Sequence, residues 1–449
     1  MSAEHSVTTL DSGVRVVSER VPGVRSVALG LWIATGSVLE DERQAGISHL
    51  LEHMLFRGTE RYGSREIDEI FDGMGAEINA GTDKETTSLY TRVLDRHLER
   101  AFDVVADMVW APRFGELEAE REVVLEEIAM YEDDPQDRVF DVLGGAVFGS
   151  HPLGRPVIGT AQSVAAVTRE HLQEFHGERY LPQAIVIAAA GSIEHDALVE
   201  LVARAGRERA VGGAPQGAAP EGEDGARNGH SPQAPPIAPG QHVAPPSFQR
   251  RTRFLEKDTE QYHVCIGGPG IARRDERRFA LRVLEGVLGG TSSSRLFQEV
   301  RERRGLAYSV FTFSNLFAGT GEIGLYVGTR PENVAEALAV IAAELRRCVE
   351  EPATEEELVR SRENLKGRVV LGMESTGARM SRLGGSVLGG LPVLSMNEMI
   401  ERIDAVRLED LRELAGSLFE PSRLSVAGVG PVEAEFRAAI EPLGAEVRT

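Results

Sequence analysis

The sequence predicts an α+β protein built from two homologous domains, and three observations lead to this prediction. One segment in the middle of the 449 residues differs sharply in composition from the rest, and it leaves two parts of similar length on either side. Both parts contain a helix, a proline-marked turn and an apolar strand in the same order. Two pairs of segments also align between the parts, which indicates an internal duplication.

The segment of unusual composition is predicted to be a flexible linker at residues 209–247. Within it, residues 212–246 contain many glycines and prolines, and their only bulky aliphatic side chains are those of Ile237 and Val243. Such a stretch cannot bury enough apolar surface to offset the entropy lost on ordering. The linker therefore separates an N-terminal domain, residues 1–208, from a C-terminal domain, residues 248–449.

The duplication is visible in two alignments without gaps. The same helix–turn–strand pattern occurs in VTREHLQEFHGERYLPQAIVIAAAG (167–191) and in VRLEDLRELAGSLFEPSRLSVAGVG (406–430). Nearer the start of each domain, EDERQAGISHLLEHML (40–55) aligns with RDERRFALRVLEGVLG (274–289) through a shared Asp-Glu-Arg. Two matches in the same order favour a copied domain over chance similarity between amphipathic helices.

Composition limits the class of protein. Hydrophobic residues make up 42% of the chain, which is enough for a sizeable core. The formal charge of −21 argues against a nucleic-acid-binding protein, which needs a basic surface to replace counterions. Cys265 and Cys348 are the only cysteines, so a disulfide framework is excluded and a reducing compartment is expected.

No membrane span is expected, because the apolar runs VALGLWIA and AIVIAAAG are too short to cross a bilayer and are typical of buried strands. The start of the chain, MSAEHSVTTLDSG, lacks the basic and apolar regions of a secretory signal. These features predict a cytoplasmic protein.

Three titratable residues lie in an otherwise apolar segment, GISHLLEHMLFRGT (46–59). His49 and His53 are four residues apart, so on a helix they share a face, and Glu52 can reach the same space. Two neutral imidazoles suit zinc, and a nearby carboxylate can take a proton from water bound to the metal. The trio therefore predicts a metal site with hydrolytic chemistry.

The second domain provides an internal control for this prediction. The alignment places Val283, Gly286 and Val287 at the positions of His49, Glu52 and His53. The helix is therefore expected to form with apolar or small residues there, so its packing does not require the polar trio.

A catalytic zinc site needs a third protein ligand, which the spacing alone does not identify. The acidic, helical segment GELEAEREVVLEEIAMYEDD (115–134) is the candidate region. Glu120 and Glu127 are two helical turns apart and share one face, so either could be the ligand. Glu126 is a third candidate that the spacing does not exclude.

These motifs resemble those of the pitrilysin superfamily of metallopeptidases, whose signature is His-x-x-Glu-His. HLLEHMLFRGT and EREVVLEEI are similar to the two metal-binding blocks of the branch that contains mitochondrial processing peptidase and its bacterial relatives. The resemblance implies one Zn²⁺ per chain held by His49, His53 and Glu127. It also implies that Glu52 is the general base and that Glu120 supports the ligands.

Two further sets of residues follow from the resemblance. SSRLFQEVRERRGLAYSV in the second domain matches a block in which an arginine and a tyrosine, here Arg301 and Tyr308, complete the site. These groups can donate hydrogen bonds to the substrate carbonyl and to the developing oxyanion. Relatives bind the peptide as an added strand beside an Asn-Ala pair, which corresponds to Asn79 and Ala80.

The fold and activity implied by the resemblance are specific. Each domain is expected to be a largely antiparallel β-sheet with helices packed on one face. The expected activity is zinc-dependent cleavage of unfolded peptides or presequence-like segments inside a chamber that two chains enclose, with a homodimer as the assembly. Two alternatives are the catalytic subunit of a heterodimeric processing peptidase and a non-catalytic assembly or structural subunit. The substrate and the role of the linker stay open.

Overall fold

The computed structural model describes residues 5–211, 243–420 and 423–444. Most of the predicted linker therefore lies outside the described residues. The chain separates into two compact units. Unit 1 comprises residues 1–125, 157–241 and 372–395, and unit 2 comprises residues 126–156, 242–371 and 396–449.

The strands of the described chain form two sheets. In chain order the strands are β1 His5–Thr9, β2 Arg15–Arg20, β3 Ser26–Ile33, β4 Glu77–Thr82, β5 Thr87–Leu94, β6 Ile185–Gly191, β7 Thr252–Glu256, β8 Tyr262–Gly270, β9 Ala307–Leu316, β10 Gly321–Thr329 and β11 Ser425–Gly430.

The helices of the first part of the chain are α1 Ile47–Met54, α2 Ser64–Met74, α3 Leu98–Trp110, α4 Leu117–Asp133, α5 Pro135–Phe148, α6 Ala161–Ala165, α7 Arg169–Arg179 and α8 His195–Val211. Those that follow residue 242 are α9 Arg278–Leu288, α10 Val334–Glu350, α11 Glu355–Gly372, α12 Thr376–Gly389, α13 Met396–Asp404, α14 Leu408–Leu418 and α15 Glu433–Ala439.

The sheet of unit 1 has six strands in the order β1-β2-β6-β3-β5-β4. Only β2 and β6 are parallel neighbours, and the other pairs are antiparallel. Its central strand β6, with the sequence IVIAAAG, is buried along its whole length, as expected for a strand covered on both faces. The outermost strand β4 alternates between exposed and half-buried residues.

The sheet of unit 2 has five strands in the order β7-β11-β8-β10-β9, again with one parallel pair, β7 and β11. This order matches β2-β6-β3-β5-β4 of unit 1 strand for strand, and β1 is an addition to the first sheet. The aligned segments 167–191 and 406–430 contain α7 with β6 and α14 with β11. The topology therefore agrees with the internal duplication.

Helix α12 packs on one face of the first sheet through Met380 and Leu383, although it lies far from that sheet in sequence. The Trp32 side chain on β3 fills the space between them. A Cβ atom at Gly30 or at Gly384 would lie 2.4 Å from the Trp32 ring. The two glycines therefore make room for the indole, since a packed core has no spare volume.

The predicted fold class is confirmed: both sheets are largely antiparallel, and helices pack against them. In unit 2, α9, α10 and α14 contribute side chains such as Leu284, Leu338 and Leu411 to one continuous core with β8 and β10. The domain boundaries at 208 and 248 stay a prediction, because they describe repeats of sequence, whereas the units describe packing.

Candidate metal centre

Helix α1 has one apolar face, which is buried, and an opposite face that carries the polar trio. Ile47, Leu50, Leu51 and Met54 follow the i, i+3, i+4, i+7 spacing and are fully buried. The remaining face presents His49, Glu52 and His53, which are all half-buried. The packing of one face of the helix thus directs the three titratable side chains to the other.

The structure brings together His49, His53 and Glu127, the three residues that the family resemblance implies as metal ligands. The two imidazole rings have centroids 4.7 Å apart and an interplanar angle of 61°. One ligand atom from each of the three residues lies within 4.8 Å of the others. Among the described residues, this is the group of histidine, cysteine and acidic side chains that could hold a metal ion.

Glu127 lies on helix α4, Leu117–Asp133. The same helix presents Glu120 two turns earlier, and the Glu120 carboxylate contacts His53. The helix itself therefore fixes where Glu127 lies with respect to His53. Glu126, the other candidate from the sequence, is exposed.

Glu120 is buried, with 3% of its surface exposed, and both its oxygens are bound. The Oε1 atom lies 2.8 Å from Nδ1 of His53, and Oε2 accepts a hydrogen bond from Nε of Arg57. A carboxylate oxygen accepts the hydrogen bond, so in a neutral His53 the proton is on Nδ1 and Nε2 is the unprotonated nitrogen. This arrangement orients a histidine for metal binding through Nε2.

His49 has the ionisation state that a metal ligand requires. Burial of the imidazole, with a smaller contribution from His53, lowers the pKa of His49 to about 4. The ring is therefore neutral at pH 7, and only the neutral ring has a lone pair for a cation.

The donor set fits zinc. Two imidazole nitrogens and one carboxylate oxygen are the three protein ligands typical of a catalytic zinc ion, which keeps a fourth position for water or substrate. The hydrogen bond from His53 to Glu120 supplies the outer support that zinc-binding histidines usually have. The chemistry of these residues and their closeness both agree with the prediction of a zinc site.

Two interactions of the centre were not predicted from the sequence. Arg57 follows His53 by four residues, just after α1. Its hydrogen bond to Glu120 is a second connection to α4, in addition to that of His53. Tyr180, just after α7, is buried, and its burial together with the charge of Glu52 raises the pKa of Tyr180. The i+4 spacing could have suggested Arg57, whereas no local signal connects Tyr180 with Glu52.

The substrate-binding residues predicted on β4 lie at the outer edge of the first sheet. Asn79 is opposite Tyr90 of β5, and Ala80 is opposite Leu89. Asn79 is exposed, Ala80 is half-buried, and Oδ1 of Asn79 accepts a hydrogen bond from the Ala80 amide at 2.8 Å. An edge strand can pair with an extended peptide, so this position is compatible with the predicted role.

Arg301 and Tyr308 contact each other in unit 2. Arg301 lies on a π-helical segment, Phe297–Glu302, and Tyr308 lies at the start of β9. The Arg301 guanidinium is 4.5 Å from the centre of the Tyr308 ring and 4.7 Å from that of Phe297. Its Nη1 atom donates to the Tyr308 carbonyl at 3.1 Å. Tyr308 is 78% exposed.

None of the helices in the described ranges is both long and apolar enough to cross a membrane.

Comparison with known proteins gives the same family for both halves of the chain. Residues 15–161 match the family model for insulinase, peptidase family M16, and residues 166–365 match the model for the M16 inactive domain. An uncharacterised zinc protease of Streptomyces coelicolor is 40% identical over 96% of this chain and 92% of its own length. A Bacillus subtilis zinc protease, YmxG, is 39% identical over 92% of this chain and 95% of its own length.

Solved structures share the fold. A protease from Helicobacter pylori superposes with a TM-score of 0.84 at 20% identity, over 96% of this chain and 100% of that chain. An M16 inactive-domain protein from Pseudomonas fluorescens gives a TM-score of 0.84 at 21% identity, over 96% and 98% of the two chains. Together with the sequence matches, these findings show that the chain belongs to the M16 (insulinase) family of peptidases.

Proposed function

We propose that the chain is a zinc-dependent endopeptidase of the inverted His-x-x-Glu-His type that cleaves unfolded peptides. The observation that carries the proposal is the closeness of the donor atoms of His49, His53 and Glu127, on the two elements that the sequence motifs predict. The zinc-protease names of the curated relatives support the choice of metal.

His49, His53 and Glu127 would hold one zinc ion per chain. When bound, zinc lowers the pKa of its water and polarises the substrate carbonyl. Glu120 would keep the proton of a neutral His53 on Nδ1, which leaves Nε2 as the nitrogen that would bind the metal. Because the pKa of His49 is low, the ring is neutral at pH 7, so protons do not compete with a metal ion for its nitrogen.

Glu52 is the proposed general base. It lies on the same face of α1 as the two histidines and is half-buried, so its carboxylate can receive the proton of the attacking water and later deliver it to the leaving amine. A glutamine has nearly the same shape and cannot accept that proton.

The substrate is proposed to pair with β4 as an added strand at Asn79 and Ala80. Main-chain hydrogen bonds would hold the peptide with little regard for its side chains, which suits a range of unfolded sequences. Arg301 and Tyr308 are proposed to donate hydrogen bonds to the carbonyl and to the oxyanion. We also propose that two chains form a homodimer that encloses a chamber. Arg301 and Tyr308 would then act from the same chain or from the partner chain. The proposed location is the cytoplasm.

The Glu52→Gln variant tests the proposed chemistry. We expect it to keep the zinc content of the wild type, measured by elemental analysis, and to bind peptide. Hydrolysis of a random peptide library, followed by mass spectrometry, should fall by at least about 100-fold, because the general base is lost. Full hydrolysis by this variant would contradict the proposal, and an inactive wild type that contains zinc would favour the non-catalytic alternative.

The assembly has a separate test. If the partner chain supplies Arg301 and Tyr308, peptidase activity per chain should fall on dilution as sedimentation shows the dimer dissociating. Full activity in a monomeric fraction would show that one chain suffices.

A further inference from the structure

Glu40 is a buried carboxylate just before the metal-binding helix, and 5% of its surface is exposed. Its Oε2 atom accepts a hydrogen bond from the Gly46 amide, and its Oε1 atom accepts one from the Ser48 amide, both at 2.8 Å. Gly46 is the N-cap residue of α1, and Ser48 directly precedes His49. One side chain thus binds the backbone on both sides of the helix start.

The helix start is also held from the opposite direction. Oγ of Ser163, on α6, donates a hydrogen bond to the Ala45 carbonyl at 2.7 Å. Gly46 has φ +92°, and a Cβ atom there would lie 2.5 Å from the carbonyl oxygen of Ile158. The chain entering α1 is therefore fixed by side-chain hydrogen bonds and by close backbone packing.

Helix α1 needs external support to keep a defined position. It has eight residues, and isolated helices shorter than roughly 12–15 residues are marginal in water. His49 lies in its first turn, where a helix frays most readily. A change at the first turn would move His49 with respect to His53, which lies one turn later.

The second domain shows that the helix itself does not require this carboxylate. The gapless alignment of 40–55 with 274–289 places Arg274 at the position of Glu40. The equivalent helix α9 nevertheless forms over Arg278–Leu288. The carboxylate is therefore present in the domain with the histidine pair and replaced in the domain without it.

We infer that Glu40 is a positioning residue of the metal site: its two oxygens hold the first turn of α1, with Ser163, so that His49 keeps its place beside His53. This inference rests on the zinc site proposed above. Glu40 acts through the backbone amides of Gly46 and Ser48 and does not contact the reacting atoms.

The Glu40→Gln variant tests the inference. A glutamine keeps the shape of the side chain but has one acceptor oxygen, so it can satisfy one of the two amides and places an NH₂ group against the other. The neighbouring Asp41→Asn variant is the matched control. Oδ1 of Asp41 also accepts two backbone hydrogen bonds, from Arg43 and Gln44, but these belong to the preceding short 3₁₀ helix.

The readouts are zinc affinity, by competition with a chelator, and the visible spectrum of the Co²⁺-substituted protein. Both are measured at a temperature where circular dichroism shows each apo-protein to be folded. We expect Glu40→Gln to weaken zinc binding by about 10–100-fold, the usual effect of losing an outer support of a ligand. Its Co²⁺ spectrum should change, whereas Asp41→Asn should match the wild type in both readouts.

The outcomes separate the two proposals. A wild type that does not bind zinc overturns the proposed metal site itself. A wild type that binds zinc and a folded Glu40→Gln protein with unchanged affinity and spectrum overturn the positioning role alone. If Glu40→Gln does not fold, Ser163→Ala decides: weaker zinc binding supports the inference, and unchanged binding overturns it.

Discussion

Replacing Glu120 with glutamine tests how the ligand His53 is held. The carboxylate of Glu120 binds Nδ1 of His53 at 2.8 Å with one oxygen and Arg57 with the other. Glutamine has a single acceptor oxygen, so its NH₂ group must face one of these two donors. If it faces His53, the ring is driven to the tautomer with the proton on Nε2, which blocks metal binding. If it faces Arg57, a half-buried guanidinium loses this acceptor.

The expected loss of zinc affinity follows from these contacts. The loss of one hydrogen bond to a charged group costs about 1.5–3 kcal/mol. A 10–100-fold loss of metal affinity on removing an outer support corresponds to about 1.4–2.7 kcal/mol. We therefore expect Glu120→Gln to bind zinc about 10–100-fold more weakly than the wild type.

Chelator competition at neutral pH measures this affinity directly. Glu122→Gln is the control, because Glu122 is on the same helix and its side chain is exposed. It should bind zinc like the wild type. If Glu120→Gln also bound zinc like the wild type, the hydrogen bond between Glu120 and His53 would have no part in metal binding.

Two further predictions concern the stability of each unit. Glu19 is fully buried in unit 1 and is paired with Arg379 and Arg382, so Glu19→Gln should lower the free energy of unfolding in urea by about 3–5 kcal/mol; no change in the urea midpoint would refute this. In unit 2, burial alone would raise the pKa of Glu357, but hydrogen bonds from Arg295 and from the Thr354 amide outweigh it and lower that pKa to about 2. The stabilisation is present above the unfolded pKa of 4.5 and is lost as pH falls towards 2. Because solvent screens a partly exposed carboxylate, Glu357→Gln should cost about 1–2 kcal/mol at pH 7. The difference from the wild type should shrink in urea titrations at pH 3, and a pH-independent difference would contradict the assignment.

Local patterns predicted the elements that depend on neighbouring residues. The apolar spacing in GISHLLEHMLFRGT predicts a helix with one buried face, and α1 buries that face completely. The repeated segments predict two copies of one fold, and the two sheets share five strands in one order. These features are readable because hydrophobic periodicity and turn residues act over short distances.

The spacing of the acidic residues could not identify the third ligand. Glu120 and Glu127 are two turns apart and lie on one face of α4, so helix periodicity treats them alike. They differ in what surrounds them: Glu120 is buried between His53 and Arg57, whereas Glu127 lies with both histidines. The resemblance to known peptidases supplied the assignment that spacing could not.

Contacts between segments that are distant in the sequence could not be predicted either. The packing of α12 against Trp32 joins residues more than 300 positions apart, and it depends on glycines at 30 and 384 whose role is invisible in the local sequence. Glu40 looks like an ordinary loop acid, because its partners are backbone amides and no side-chain pattern marks them.

The zinc content of two neighbouring variants tests the metal centre most directly. Glu127 is in the cluster with His49 and His53, whereas Glu126 beside it is exposed. Elemental analysis after dialysis against zinc should find one ion per chain in the wild type and in Glu126→Gln, and much less in Glu127→Gln. Equal zinc in both variants, or none in the wild type, would contradict a site formed by these three ligands.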